Sequence, residues 1–235
     1  MNDLQKIEQE KSVLRWGGLA GMLGGILFIL TWVVILAGPV GMEDPADLVG
    51  WVTRFPDIRA ARTVENGLYL VALILEVTLF LALYRALRRA SLAPALFGSV
   101  LGILGLGVFA AGALVHVAQV PLSDLYHAPG ATPEDQATLA LLWQATWGIF
   151  DAMLYVGFFV VPVGLIALGV AMLGAPTFGK GFGGLSVALG AVGLVAAVLQ
   201  MVDPSSMIGA LSYFACLIFY LVLGWKVYSL SRAPR

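Results

Sequence analysis

Five stretches of this chain run for more than twenty residues without a charged side chain: Trp16–Gly38, Ala93–Val115, Ala152–Gly179, Gly181–Val202 and Pro204–Trp225. Roughly 30 Å of hydrocarbon is crossed by ~20 residues of helix at 1.5 Å each, so every one of them is long enough to span a bilayer. LYLVALILEVTLFLALYRALRR, residues 68–89, supplies a sixth span with a single acid, Glu76, in its middle. The expected fold is therefore all-α, a polytopic bundle of six transmembrane helices. The spans fall near 16–38, 66–88, 94–117, 146–173, 181–201 and 206–228, with a short segment at 1–15 and a tail at 231–235. Of the 235 residues 60% are hydrophobic and 11% charged, against about 25% charged in a soluble domain. No length remains for a separate soluble domain.

The thirteen Lys and Arg residues divide unevenly between the two sides. Lys6, Lys11, Arg15, Arg85, Arg88, Arg89, Lys180, Lys226, Arg232 and Arg235 fall on one side; only Arg54, Arg59 and Arg62 fall on the other. A positive-inside bias of ten to three places both termini in the cytoplasm. Trp16, Trp225 and Tyr228 then belong at the inner interface, and Trp143 and Trp147 at the outer one. The first span is expected to be retained as a helix, because its apolar run exceeds the usual signal-peptide core and no A-x-A site follows it.

Several function classes are disfavoured. A net charge of −1 supplies no basic patch for nucleic acid. Cys216 is the single cysteine, so no disulfide and no cysteine metal site is expected, and no cofactor motif is present. GKGFGG at 179–184 lacks the spacing of a P-loop. His116 and His127 are the two histidines, and His127 lies in a loop. A His-Asp-Glu metal site is therefore a low-ranking alternative, and no metal ligands are assigned.

Between the spans, residues 1–15 read as an amphipathic helix on the inner surface or a frayed tail. The first outer loop carries a short helix after Pro45 whose Leu48, Val49, Trp51, Val52 and Phe55 would lie in the membrane interface. In TPEDQ, Thr132 is placed as an N-cap with Pro133 at the first helical position and two acids in the first turn. Pro162 is expected to kink the fourth span. Glycines concentrate in the odd spans: Gly17, Gly21 and Gly25 form a ladder in the first, and Gly98, Gly102 and Gly105 lie in the third, with Gly183, Gly190 and Gly193 in the fifth. Small residues at this spacing let helix backbones approach closely. The third and fifth spans also share a weak likeness, FGSVLGILG with FGGLSVALG.

Glu76 carries the functional argument. It lies roughly 13 Å below the start of its span, close to the midplane, where an ionised acid costs about 2.5–3.5 kcal/mol to insert. Glu65, Tyr69 and Glu76 share one helix face. Gln144, Trp147, Asp151 and Tyr155 form a second polar stripe on the fourth span, while His116 and Gln119 end the third and Gln200 and Asp203 end the fifth. Polar groups thus gather in the outer half, and an outward-facing vestibule narrowing to Glu76 is the simplest expectation. The candidate binding residues are Glu76, Asp151, Tyr69, His116, Gln119, Gln144 and Tyr155. Tyr213, Cys216 and Tyr220 share a face of the sixth span and are read as packing.

The run RWGGLAGMLGGILFIL, the mid-span acid followed by LALYRALRR, the loop PEDQATLALL and TWGIFDAMLYVGFF occur in that order. Over residues 15–205 this arrangement resembles a family of uncharacterised bacterial six-helix membrane proteins, a domain of unknown function. The resemblance implies the six-helix fold and singles out Glu76, where an aspartate is more usual, and Asp151. Pro162 departs from the family pattern. The leading expectation is a protein of the bacterial inner (cytoplasmic) membrane that binds or moves a small solute, lipid or proton. The alternatives are a non-catalytic subunit or assembly factor docking a membrane-protein partner, or a second copy of itself, through glycine faces, and a membrane hydrolase.

Overall fold

The computed structural model describes residues 3–40, 47–203 and 208–233. Six helices follow one another: α1 (Asp3–Ala37), α2 (Leu48–Leu87), α3 (Leu92–Tyr126), α4 (Pro133–Leu173), α5 (Gly179–Val202) and α6 (Gly209–Arg232). All six are long and apolar enough to cross a membrane, and no strand occurs among the described residues. Large apolar side chains such as Ile26, Ile74, Phe97, Leu104, Val195 and Phe214 point outward. Glycine and serine occupy many of the positions between helices. That distribution suits a chain whose solvent is lipid, where an exposed leucine costs nothing and close backbone approach supplies the attraction.

Neighbouring helices run antiparallel. Gly17 faces Ala82 and Gly21 faces Leu79; Gly98 lies against Leu168 and Gly105 against Val161; Gly183 packs on Leu173 and Gly190 on Ile166. Each helix touches the next in sequence, and α1 closes the ring against α6. Only the even helices α2, α4 and α6 meet across the interior. The glycine-rich odd helices therefore sit in the three grooves between them. The start of α1 and the end of α6 lie at one end of the bundle, here the termini end, opposite the far end.

The ladder expected at Gly17, Gly21 and Gly25 is divided between two partners. A Cβ at Gly17, Gly21 or Gly24 would strike α2, whereas one at Gly18 or Gly25 would strike α6. Polar bonds to backbone carbonyls add to the packing. Ser186 Oγ donates to Leu165 O at 2.7 Å, Ser212 Oγ to Gly193 O at 2.7 Å, and Tyr213 Oη to Phe28 O at 2.8 Å. Such interhelical bonds contribute about 0.6 kcal/mol each in lipid.

Helix lengths locate a feature that the hydropathy pattern missed. At 1.5 Å per residue α4 is roughly 60 Å long and α2 nearly the same, twice the hydrocarbon thickness. Short turns tie α2 to α3 and α4 to α5 at the termini end, so the surplus of α2, α3 and α4 projects at the far end as a lobe. The helix expected after Pro45 is no separate element: α2 begins at Leu48 and continues unbroken through it, capped by Asp47, whose side chain accepts from Gly50 N at 2.9 Å. Pro45 itself lies outside the described residues. Trp51, Val52 and Phe55 are buried against Tyr126, Ala140 and Trp143 rather than laid on the membrane. Trp143 and Trp147 likewise turn inward, onto Phe55 and His116, while Trp16 and Trp225 remain exposed. At the start of α4 Thr132 and Asp135 complete a capping box.

At the other end the first residues continue α1 from Asp3 as a single helix. Glu10, nearly buried, receives Arg85 at 2.8 Å and Arg89 at 2.9 Å from the end of α2.

Candidate functional site

The buried face of α2 carries Arg62, Glu65, Asn66, Tyr69 and Glu76 in one stripe, with Ala72 and Leu73 between the last two. Counting from Leu87 at the termini end, Glu76 stands about 17 Å along the helix and Glu65 about 33 Å. For a hydrocarbon layer of roughly 30 Å starting at Leu87, the acid would stand near its middle and Glu65 at its far boundary.

Glu76 is fully buried, and neither carboxylate oxygen has a hydrogen-bond partner. Opposite it, α1 presents Gly24, where any Cβ would overlap Oε1, so the glycine makes the space in which the carboxyl fits. From α6, Cys216 and Tyr220 lie on the side of α2 that carries the acid, Tyr220 edge-on to Phe80 with ring centroids 6.3 Å apart. Phe28 of α1 is surrounded by three tyrosines: Tyr69 at 5.7 Å, Tyr213 at 5.9 Å and Tyr220 at 5.9 Å between ring centroids. The face Tyr213–Cys216–Tyr220, read from the sequence as packing, thus surrounds the acid's side of α2. Its spacing of three and four residues was a visible signal; which helix it faces was not.

A second polar group lies at the far boundary, between α2, α3 and α4. Arg62 and Glu65 form a buried ion pair at 3.0 Å. His116 Nδ1 lies 3.2 Å from Asn66 Oδ1, and Asn66 Nδ2 donates to Ala113 O at 3.5 Å. Trp147 closes on His116, with ring centroids 5.4 Å apart, and the Arg62 guanidinium lies 5.5 Å from the same indole. Gln119 is wholly buried with both amide atoms unpartnered. Arg62, Glu65 and Asn66, all in the first loop or its rim, were not singled out as a set in the sequence.

The remaining candidates are elsewhere. Gln144 and Asp151 are exposed on the outside of α4, and Tyr155 is half-buried one turn from Asp151. Gln200 lies against Gly209 at the start of α6. The structure thus brings Tyr69 and Glu76 into one cluster and His116 and Gln119 into another, and sets Gln144, Asp151 and Tyr155 apart from both. Glu76 does not open onto the vestibule expected for it: among the described residues its carboxyl is fully buried. Among the described residues no three His, Cys, Asp or Glu side chains gather where they could hold a metal ion. Chemically, the arrangement around Glu76 offers one carboxyl, hydroxyls and a thiol in an otherwise oily interior. No protein-family model, curated protein or solved structure matches this chain, so the functional reading rests on this geometry.

Proposed function

We propose that this chain is a multi-pass protein of the bacterial cytoplasmic membrane, with both termini in the cytoplasm, that binds or moves a small solute or a proton at Glu76. One observation carries the reading: a carboxyl fully enclosed at mid-depth, with both oxygens unpartnered. Acids inside spans are rare, costly and retained for ion or proton relays. A buried anion without a cation beside it is more costly still, and no Lys or Arg pairs with Glu76 among the described residues. The site therefore suits a neutral acid that gives up and regains a proton. Complete burial of the carboxyl favours the proton itself over a bulkier ligand. The orientation is supported by the gathering of Lys and Arg at the termini end. Family membership, as the motifs suggest it, belongs to the same reading.

Docking of a partner through the glycine faces is less well supported. Gly17, Gly21, Gly98, Gly102 and Gly105 are covered by the chain's own helices, so a partner would need another surface.

The test is infrared difference spectroscopy on the protein in liposomes as pH is changed, with proton flux followed in the same vesicles. The natural chain should show a carboxylic-acid carbonyl band that responds to pH, and the Glu76→Gln variant should keep its helix content while losing both band and flux. Identical spectra and flux for the two proteins would refute the assignment.

A further inference from the structure

Positive charge at the termini end exceeds what the acids there can answer. Glu10 takes Arg85 and Arg89, while Lys11, Arg15, Arg88, Lys180, Lys226 and Arg232 form no ion pair among the described residues. Three of these cations share one flank. A Cβ on Gly18 would fall 2.7 Å from Tyr228 Cα and one on Gly224 would fall 2.8 Å from Met22 N, so α1 and α6 lie antiparallel in close contact. Continued three residues towards the termini end, that register sets Arg15 level with Ser231 and Arg232. At 100° per residue Arg15 stands about 60° from Gly18 and Lys11 about 20°, both turned towards α6. On α6, Trp225 and Arg232 stand about 100° and 80° from Gly224, so they share one face flanking α1. Arg15, Trp225 and Arg232 are exposed and Lys11 is half-buried, which places all four along the outer edge of the α1–α6 seam.

Charge and apolar surface follow in order along that seam. Arg232 is at the rim, its guanidinium 4.6 Å from the Tyr228 ring centroid and one N–H donated to the Tyr228 hydroxyl; the other donors of its fork are left for a ligand. Trp225 lies about 10 Å deeper. Below it the exposed face of α6 continues with Ile218, Phe214 and Leu211. A phospholipid presents the same order, with phosphate outermost, glycerol and ester groups next and acyl chains below. Arginine matches phosphate with a planar fork and lysine as a point charge, and tryptophan settles at headgroup level. A soluble anion would use the rim alone and leave the indole and the apolar face without a role.

We propose that the α1–α6 seam at the termini end is a docking surface for an anionic phospholipid, with Lys11, Arg15 and Arg232 on its phosphate and Trp225 along its glycerol and upper acyl chain. Complementary charge selects the occupant, because three cations without an acid partner meet a headgroup of net negative charge. A zwitterionic lipid brings its own ammonium group to the same cations and is held less well. The proposal makes no use of Glu76, which is enclosed by other side chains in the interior.

The experiment places the full chain in nanodiscs of equal parts phosphatidylglycerol and phosphatidylcholine, releases it into mild detergent and counts the bound lipids by native mass spectrometry. Phosphatidylglycerol should exceed phosphatidylcholine by about five-fold or more. Two triple variants remove the same charge from the same end. Lys11→Gln, Arg15→Gln and Arg232→Gln together should bring the ratio close to one, whereas Arg88→Gln, Lys180→Gln and Lys226→Gln together should lower it less than about two-fold. Helix content confirms the fold of each, and if the seam triple fails to fold, Arg15→Gln alone decides, with a fall of about two-fold or more expected. Equal binding of the two lipids by the natural chain, an unchanged ratio in the seam variant, or an equal fall in both triples would overturn the proposal. Release of the bound phosphatidylglycerol by inorganic phosphate alone would assign the rim to soluble anions and overturn it as well.

Discussion

Replacing Glu76 by methionine should make the protein more stable. The reasoning starts from the two carboxylate oxygens, which are buried without a hydrogen-bond partner. An unsatisfied buried polar group costs about 1–3 kcal/mol even when neutral. Methionine is unbranched, of similar length and flexible, so it can follow the same path past Gly24, and volume-conserving swaps of this kind usually cost less than about 1.5 kcal/mol. The balance is a stabilisation of about 1–2 kcal/mol for Glu76→Met, once a few tenths are allowed for imperfect fit. Glu76→Gln keeps a polar group of the same shape and should change stability by less than about 1 kcal/mol. The assay is reversible unfolding in mixed micelles followed by helix content, with the infrared response of Glu76 measured on the same samples. A stabilised methionine variant without a pH response would mean that the acid is kept at the expense of stability, as functional sites often are. A methionine variant less stable than the natural chain by about 1 kcal/mol or more would mean that the carboxyl makes a structural contact. In that case the functional reading of its burial would fail.

Two further outcomes test the architecture. A Cβ at Gly18 would fall 2.7 Å from both the Gly224 carbonyl oxygen and the Tyr228 Cα, while one at Gly107 would meet nothing within 4 Å. Gly18→Ala should therefore destabilise by about 1–3 kcal/mol and Gly107→Ala should be neutral or stabilise by up to about 1 kcal/mol; equal midpoints in unfolding scans would contradict the α1–α6 contact. Glu10→Gln removes the charge that Arg85 and Arg89 share. Because both arginines are partly exposed, the global loss should stay below about 1 kcal/mol, but amide exchange in the first turns of α1 should accelerate, and unchanged exchange there would show that the clamp does not hold them.

The six helices were legible because the runs from Trp16 and Ala93 onward carry no charged side chain and the run from Leu68 carries only Glu76 before Arg85. The far-end lobe was not legible, for a related reason. Val49, Trp51, Val52 and Phe55 form an apolar stripe, and a stripe records that water is excluded without recording whether lipid or protein excludes it. Trp143 and Trp147 were misplaced by the same ambiguity. The glycine ladder failed through geometry: at 100° per residue, Gly21 and Gly24 stay within about 40° of Gly17, but Gly25 turns away by about 80° to join Gly18 at about 100°. The acid itself was readable as an anomaly of composition. Its neighbours Gly24, Cys216 and Tyr220 come from helices 52 residues before it and 140 or more after it, and no local periodicity connects them.

The contact of α1 with α6 orders events during synthesis. The groove lined by Gly18 and Gly25 has no occupant while the five preceding helices enter the bilayer, since α6 follows them all in chain order. Two of the groups that enclose Glu76 arrive with that same helix. Until it docks, the carboxyl on α2 lacks the cover that α6 provides, so a chain ending before Gly209 would leave that acid unsheltered.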